Sequence, residues 1–365
     1  LIPLSQTLMM RIYPPEKLPQ GMSYWTLTTM LGPVVGPLAG GMISDSLSWH
    51  WIFLVNLPIG VAVYAACVAL LPAGKPLADR AKLDVAGAIS VTTSLMLAVY
   101  AIVHGNEVGW TSTQTLAQLG IAVALMVAFL VIESRVSHPL MPLHMFALRN
   151  VATANVVGVL WAAAMFAWFF ISALYMQRVL NYSAMQVGLA FLPANSIMAV
   201  FSLGLSAKLV MRFGIRAPLS LGLLVAAVGL MLFARAPAGG NFMVDVLPGM
   251  LLLGLGAGVA FNPVLLAAMS DVAPDESGLA SGVVNTSFMM GGALGLAILA
   301  SLAAARTNNL TAAGADAATA LNGGYHLAFL LGAIAAVLAS ALAGAFVRTR
   351  AHAQTQDQAS SAASI

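Results

Sequence analysis

The sequence predicts an all-α protein that crosses a lipid bilayer many times. Of its 365 residues, 60% are hydrophobic and only 7% are charged, whereas a soluble domain carries about 25% charged residues. So few charges cannot cover a water-facing surface, and most of the surface must therefore face lipid. The small net charge of +3 gives no reason to expect binding to nucleic acid.

Ten windows of the sequence are long and apolar enough to cross a membrane. A bilayer core of about 30 Å takes about 20 residues in a helix, and helices are required because lipid offers no partner to an unpaired backbone N–H. The connections between windows are short, which predicts antiparallel neighbours. The windows lie at 22–44, 51–72, 83–104, 115–132, 151–176, 184–207, 217–234, 243–269, 279–304 and 325–347.

The basic residues predict the orientation of these spans, because cytoplasmic loops collect Lys and Arg. If the loop at 11–20 is cytoplasmic, the opposite side carries only Arg178, Arg235 and Arg306. Both ends of the chain are therefore predicted to be cytoplasmic, and the polar tail at 351–365 has a composition typical of disorder. The twelve basic residues on the cytoplasmic side are Arg11, Lys17, Lys75, Arg80, Lys82, Arg135, Arg149, Lys208, Arg212, Arg216, Arg348 and Arg350.

Two stretches, 2–32 and 262–292, repeat without a gap. Each copy is the end of one span, a cytoplasmic turn and the start of the next span, so both copies enter the membrane from the same side. Parallel repeats of this kind are typical of two helical bundles related by an axis along the membrane normal. The matched pairs are Pro3 and Pro263, Met9 and Met269, Pro14 and Pro274, Glu16 and Glu276, Thr26 and Thr286, Met30 and Met290, and Gly32 and Gly292.

Three segments carry a resemblance to a known family. They are Gly32-x-x-x-Gly36-Pro37-x-x-Gly40-Gly41, then Trp49-His50-Trp51-Ile52-Phe53 followed by Asn56-x-Pro58-Ile59-Gly60, and Pro139-Leu140-x-x-Leu143-x-x-Phe146-x-x-Arg149. Together they resemble the fourteen-helix drug:proton antiporters of the major facilitator superfamily. The first segment is similar to the antiporter motif of that family, and Lys208, Arg212, Gly214 and Arg216 resemble a degenerate copy of the superfamily's cytoplasmic loop motif.

The resemblance implies a major facilitator fold with two parallel-related helical bundles and two extra central helices. On this basis residues 1–72 hold the end of helix four and helices five and six, and residues 73–135 supply the two extra helices. Residues 136–350 form the six-helix C-terminal bundle, and 351–365 form the cytoplasmic tail. We therefore expect the first bundle to be incomplete in this sequence, with four helices preceding residue 1.

The glycines at 32, 36 and 40 are four residues apart and share one helical face. One interpretation is close packing of two helices through small residues. The resemblance implies, in addition, a bend and a sealed interface that favour export.

A second candidate site is a substrate cavity. The stripe that includes Trp161, Met165 and Trp168 lies on one face of the window 151–176, and the resemblance implies that this helix lines the cavity. Aromatic faces and Met side chains suit varied amphipathic ligands. An equal alternative is that the stripe faces lipid. The candidate cavity also includes Trp25, Asn195, Asn262 and Asn285, where interhelical hydrogen bonding alone is the alternative for each Asn.

The predicted function is a secondary-active exporter of small amphipathic drugs, driven by proton entry through alternating access. A specific metabolite is the alternative substrate, and a membrane-embedded enzyme or receptor is a distant one. We predict no catalytic residue, metal or cofactor, with the proton gradient as the driving force. No Asp or Glu lies in the middle of a span, so we expect the coupling acid in helices before residue 1. The resemblance places the protein in a bacterial inner membrane, with a periplasmic adaptor and an outer-membrane channel as candidate partners.

The topology can be tested by labelling single cysteines in intact cells. In a Cys67→Ala background, Asn106→Cys and Thr311→Cys should react with a membrane-impermeant thiol reagent from outside, because both lie in loops without the cytoplasmic bias. Ala353→Cys should not react until the cells are opened. Labelling of Ala353→Cys in intact cells would overturn the orientation.

Overall fold

The computed structural model describes residues 18–70, 84–136, 139–270, 272 and 277–347. Every regular element in these residues is helical, which confirms the all-α fold class. A 3-10 helix (Leu143–Ala147) precedes α6, and π-helical turns (Tyr175–Val179, Phe201–Leu205 and Phe242–Val246) follow α6, follow α7 and precede α10. The helices are α1 Leu18–Ser46, α2 Trp49–Leu54, α3 Asn56–Leu70, α4 Val85–Val108, α5 Thr113–Glu133, α6 Arg149–Leu174, α7 Ala184–Val200, α8 Ser206–Phe213, α9 Arg216–Phe233, α10 Leu247–Met269, α11 Ser277–Ala312 and α12 Ala317–Phe346.

Nine helical segments within the described ranges are long and apolar enough to cross a membrane. They correspond to nine of the ten predicted windows. The remaining window, 22–44, lies within α1, a helix of 29 residues. The chain is therefore a multi-pass membrane protein by the length and composition of its helices.

The last two helices are longer than the apolar windows predict. α11 continues past residue 304 to Ala312, and α12 begins at Ala317 rather than 325. The apolar window ends at the first polar residues, but the helix continues because backbone hydrogen bonds do not depend on hydropathy, and the hydroxyl of Thr307 meets its hydrogen-bonding need within α11 by donating to the Ala303 carbonyl at 3.0 Å. At the start of α12, Asp316 accepts a hydrogen bond from the Thr319 amide. Hydrogen bonds from Thr319, through its hydroxyl and then its amide, lower the pKa of Asp316 from its ordinary value.

Small residues bring α9 and α10 into backbone contact. A Cβ on Gly256 would stand 2.5 Å from the Gly222 carbonyl oxygen, and one on Gly222 would stand 2.9 Å from the Gly256 carbonyl oxygen. Such close approach is typical of membrane helices, which pack through small residues. The facing glycines therefore determine how closely these two helices meet.

The opposite face of α10 approaches α7 in the same way. A Cβ on Gly258 would stand 2.7 Å from the Met198 carbonyl oxygen, and Gly254 lies against the backbone of Ala194. The glycines at 254, 256 and 258 therefore separate into two packing faces of one helix. Close packing against α9 and α7 therefore explains the glycine-rich run in α10.

Helices α4 and α5 form a hairpin that joins the C-terminal bundle through α11. The Ser94 hydroxyl of α4 donates to the Ala122 carbonyl of α5 at 2.7 Å. Ser301 of α11 donates to the Ile102 carbonyl of α4 at 3.1 Å. Each hydroxyl bonds a neighbouring helix backbone in a region where water is scarce, so the hairpin is attached by polar as well as apolar contacts.

Helix α1 packs along α7, but α3 differs from every other long helix. All residues of Asn56–Leu70 are exposed. The predicted domain boundaries stay predictions, because the chain near residues 72–73 and 350–351 lies outside the described residues. About half of the first copy of the predicted repeat, residues 2–17, also lies outside them.

The glycine contacts predict a strong effect of a branched side chain at position 256. Gly256→Val should lower the free energy of unfolding by about 1–3 kcal/mol, because overpacking forces α9 and α10 apart. The matched control is Gly282→Val on α11, where no described atom lies within 4 Å of the position that a Cβ would occupy. Thermal unfolding of the purified chain in detergent measures both variants, and equal melting temperatures for the two would contradict the prediction.

Candidate functional site

The crossing of α1 and α7 is the point where the glycine motif meets the C-terminal bundle. A Cβ on Gly41 would stand 2.6 Å from the Ala184 carbonyl oxygen, and one on Gly188 would stand 2.5 Å from the Pro37 carbonyl oxygen. Both glycines are buried. No larger residue fits between these backbones without a shift, so the crossing is sealed by direct backbone contact.

Asp45 extends this contact by one helical turn. Its Oδ2 accepts a hydrogen bond from the Ser183 hydroxyl at 3.0 Å and another from the Met185 amide at 2.9 Å. Ser183 and Gln186 form a capping box at the start of α7, where an acidic group also interacts favourably with the helix dipole. The end of α1 therefore supplies a second cap to α7.

The contact face of the motif differs from the glycine face expected from the sequence. Gly32, Gly36 and Gly40 have no described atom within 4 Å of where a Cβ would stand, whereas Pro37 and Gly41 contact α7. Successive residues in a helix are about 100° apart, so the two rows point in different directions. Among the described residues, Pro37 and Gly41 form the contact with α7, and the expected close packing of the residues at 32, 36 and 40 stays a prediction.

The Trp–Met stripe of α6 faces the protein interior rather than lipid. Trp161 and Trp168 are each only 1% exposed, and Met165 is half-buried. The Nε1 atoms of both tryptophans and the Ser172 hydroxyl have no hydrogen-bond partner among the described residues. Buried polar atoms are normally paired, so three polar groups on one face of α6 are available to a ligand or to water.

Trp161 and Asn285 meet at a small cavity between α6, α10 and α11. Phe261 and Phe288 also line it, with ring centroids 6.2 Å apart. The cavity measures about 20 Å³, which is enough for about one water molecule. Pockets that bind drug-sized ligands measure about 300–1,000 Å³. The two predicted residues are therefore together, in a conformation where the space between them is nearly closed.

The other predicted cavity residues lie elsewhere. Trp168 packs edge-on against Phe191 of α7, with ring centroids 6.0 Å apart, and Asn195 is buried one turn further along α7. The side chain of Trp25 lies outside the described part of the chain. The structure therefore joins two of the predicted residues at one cavity, places Trp168 beside Phe191 of α7, and leaves Asn195 and Asn262 on α7 and α10.

Asn262 takes part in a polar contact between two bends, as the interhelical alternative predicts. Its Nδ2 donates to the Ser202 carbonyl in the π-helical turn after α7 at 2.8 Å. Pro263 removes an N–H from α10, and the Val259 carbonyl left by it accepts from the Ser206 hydroxyl at 3.1 Å. Sequence reasoning missed Ser202 and Ser206, although a proline inside a span is a signal that a carbonyl four residues earlier needs another donor.

The basic residues of the predicted loop motif lie on α8 and at the start of α9. Lys208, Arg212 and Arg216 are exposed, and the Arg212 guanidinium stands 5.3 Å from the centroid of the Phe213 ring. Gly214 ends the helix with φ at +75°, a conformation that favours glycine. The positive φ therefore explains why a glycine stands at position 214, while the three basic side chains are exposed. Among the described residues, no group of three or more His, Cys, Asp or Glu could hold a metal ion.

The helices thus define a polytopic α-helical membrane protein in which a C-terminal bundle of α6 to α12 meets α1 at a sealed crossing. The family model for the Major Facilitator Superfamily matches residues 1–296, and the chain belongs to this superfamily.

The similar proteins include the puromycin resistance protein of Streptomyces alboniger, which is 32% identical over 88% of this chain and 65% of its own length. An uncharacterized transporter of Mycobacterium tuberculosis is 35% identical over 76% of this chain and 52% of its own. The cephamycin export protein of Amycolatopsis lactamdurans is 32% identical over 78% of this chain and 59% of its own. The chain therefore spans about half to two thirds of the length of these relatives.

The α1–α7 crossing predicts that Asp45→Cys and Ser183→Cys form a disulfide in a Cys67→Ala background, because the native side chains are within hydrogen-bond distance. Adding Gly41→Leu should slow cross-linking by roughly tenfold, since overpacking separates the backbones. Gly36→Leu is the matched control and should leave the rate unchanged. Gel mobility after mild oxidation measures the rate, and equal slowing by both leucines would contradict the assigned contact face.

Proposed function

We propose that the complete protein is a secondary-active exporter of small amphipathic drugs in a bacterial inner membrane, working by proton-coupled antiport. The observation that carries the proposal is the α1–α7 crossing, where backbone contact and the Asp45 cap join helices of the two predicted bundles. Membership of the superfamily supports it, as do the names of the relatives, which describe resistance, transport or export.

The nearly closed cavity fits one state of an alternating-access cycle. In that cycle two bundles rock about a site near the middle of the membrane. Trp161, Trp168 and Ser172 would offer their unpaired polar atoms to a ligand when the bundles separate. The apolar surroundings of these three groups favour an amphipathic substrate with few polar atoms.

A second candidate is an exporter of one particular compound. Two of the relatives are named for a single antibiotic each, puromycin and cephamycin. Such names favour narrow specificity, which depends on the residues of the pocket rather than on the fold. The experiment below separates the two candidates by the range of compounds that the protein exports.

The test is drug accumulation in cells that lack their own pumps and express the complete reading frame. The protein should lower the accumulation of several unrelated amphipathic compounds. A protonophore should raise the accumulation again to the level of cells without the protein. Trp161→Ala should reduce export roughly tenfold or more, because buried aromatic anchors often contribute about 2 kcal/mol to binding. Phe170→Ala is the matched control, since Phe170 lies on the same helix but is 48% exposed.

The outcomes of this test distinguish broad from narrow specificity and show whether export depends on the proton gradient. Export of one compound only would support the narrow-specificity candidate, and export that survives the protonophore would remove proton coupling. If the wild-type protein, present in the membrane, changes the accumulation of no compound, the export proposal fails.

A further inference from the structure

A groove of about 300 Å³ lies between α4 and α11, near the ends of both helices. Its volume reaches the lower limit of pockets that bind drug-sized ligands, about 300 Å³. Ser301 of α11, which donates to the Ile102 carbonyl of α4 at 3.1 Å, holds the two helices together beside it. The small cavity at Trp161 and Asn285 meets α11 much nearer its start, so the groove is a separate feature.

The walls of the groove are apolar and short. Ala297, Ala300 and Ala304 form the wall on α11, and an alanine side chain ends at Cβ and cannot fill the space between two helices. Val103 of α4 lines the groove and is 52% exposed, so the groove opens on the outer surface of the bundle. Methyl groups around an open gap lack van der Waals partners, and a hydrocarbon chain would supply them.

The far end of the groove is polar. Glu107 and Asn308 line it there, and both are exposed. The distance from Ala297 to Asn308 corresponds to about 16 Å along α11. Asn308 lies beyond the apolar window, which ends at 304, and Trp110 follows Glu107 by three residues, as is typical of the boundary between membrane and water. The groove therefore runs from the level of hydrocarbon to the level of water.

The polar end carries a negative charge. Glu107 is the one ionisable side chain among the described residues that line the groove, and the sequence 85–133 contains no Lys or Arg. Arg306 of α11 is exposed, but it stands two positions from the lining residues and points to the opposite face at about 100° per residue. His104 of α4 stacks on Tyr100, with ring centroids 4.2 Å apart. The polar end therefore attracts a cation rather than an anion.

We propose that this groove binds an amphipathic organic cation with a single positive charge. Its ammonium group contacts the Glu107 carboxylate beside Asn308, and its hydrocarbon part lies along the alanines of α11. A phospholipid with an amine headgroup fits less well, because no basic side chain lines the groove to receive its phosphate. The site is distinct from the candidate substrate cavity, and binding to it does not depend on the proposed export.

The first measurement is the binding of radiolabelled octyltrimethylammonium to the purified chain in phosphatidylcholine nanodiscs, with empty nanodiscs subtracted. Glu107→Gln should weaken binding about fivefold, the upper range for an exposed ion pair. Asn308→Asp should strengthen it, because a second carboxylate stands beside the ammonium group. Octanol, which has a chain of the same length and no charge, should bind the wild type and both variants equally.

Protection of a single cysteine locates the bound cation. In a Cys67→Ala background, octyltrimethylammonium should slow the reaction of Ala304→Cys with an uncharged maleimide, and adding Glu107→Gln should remove most of this protection. The matched control is Leu302→Cys, because Leu302 is 38% exposed on the same helix but points away from the groove. Its reaction rate should not change when the cation is added.

Three results would overturn the proposal. Equal binding of the cation by the wild type and Glu107→Gln would show that the carboxylate does not attract it. Equal protection of Ala304→Cys and Leu302→Cys would show that the cation only enters the surrounding lipid. If spin-labelled phosphatidylethanolamine is immobilised by the wild type and released by Glu107→Gln, a lipid occupies the groove instead.

Discussion

Backbone-to-backbone contact between helices is the constraint on which this structure depends. Lipid provides no hydrophobic force between helices, so association depends on close packing and on polar groups that bond across the contact. Gly222 and Gly256 supply such packing between α9 and α10, and Gly41 and Gly188 supply it between α1 and α7. Close backbone packing therefore builds the interior of the bundle and also joins the bundle to α1.

The membrane-spanning segments could be predicted from the sequence because the requirement is local: a run of apolar residues long enough to cross the bilayer. The end of α11 and the start of α12 could not, since backbone hydrogen bonds carry α11 through polar residues and Asp316 caps α12, and hydropathy measures neither. The contact face of α1 also depends on its partner. A row of glycines shows which face can approach another helix, but only α7 determines that Pro37 and Gly41 do so.

The candidate cavity was partly predictable, because the pattern along one helix is local but the meeting of two helices is not. The pattern of large and polar residues on α6 indicated a special face, and the structure shows that this face is buried. Whether two polar residues on different helices come together depends on helix rotation, which one sequence does not specify. Trp161 and Asn285 meet, whereas Asn262 bonds to Ser202. Asp84 and Glu133 are 49 residues apart in sequence, and both lie near Gly87 only because α4 and α5 form a hairpin.

The two irregular places, the π-helical turn after α7 and Pro263 in α10, differ in whether a regular helix could form there. The missing backbone hydrogen bond at Pro263 is permanent, because proline has no N–H to offer to the Val259 carbonyl. The π-helical turn after α7 is conditional, since its backbone retains every donor needed to rewind into a regular helix. Rewinding would move Ser202 away from Asn262 and Ser206 away from Val259. A change of pitch after α7 would therefore break hydrogen bonds to α10. These two hydrogen bonds therefore couple the conformation of the turn after α7 to that of α10.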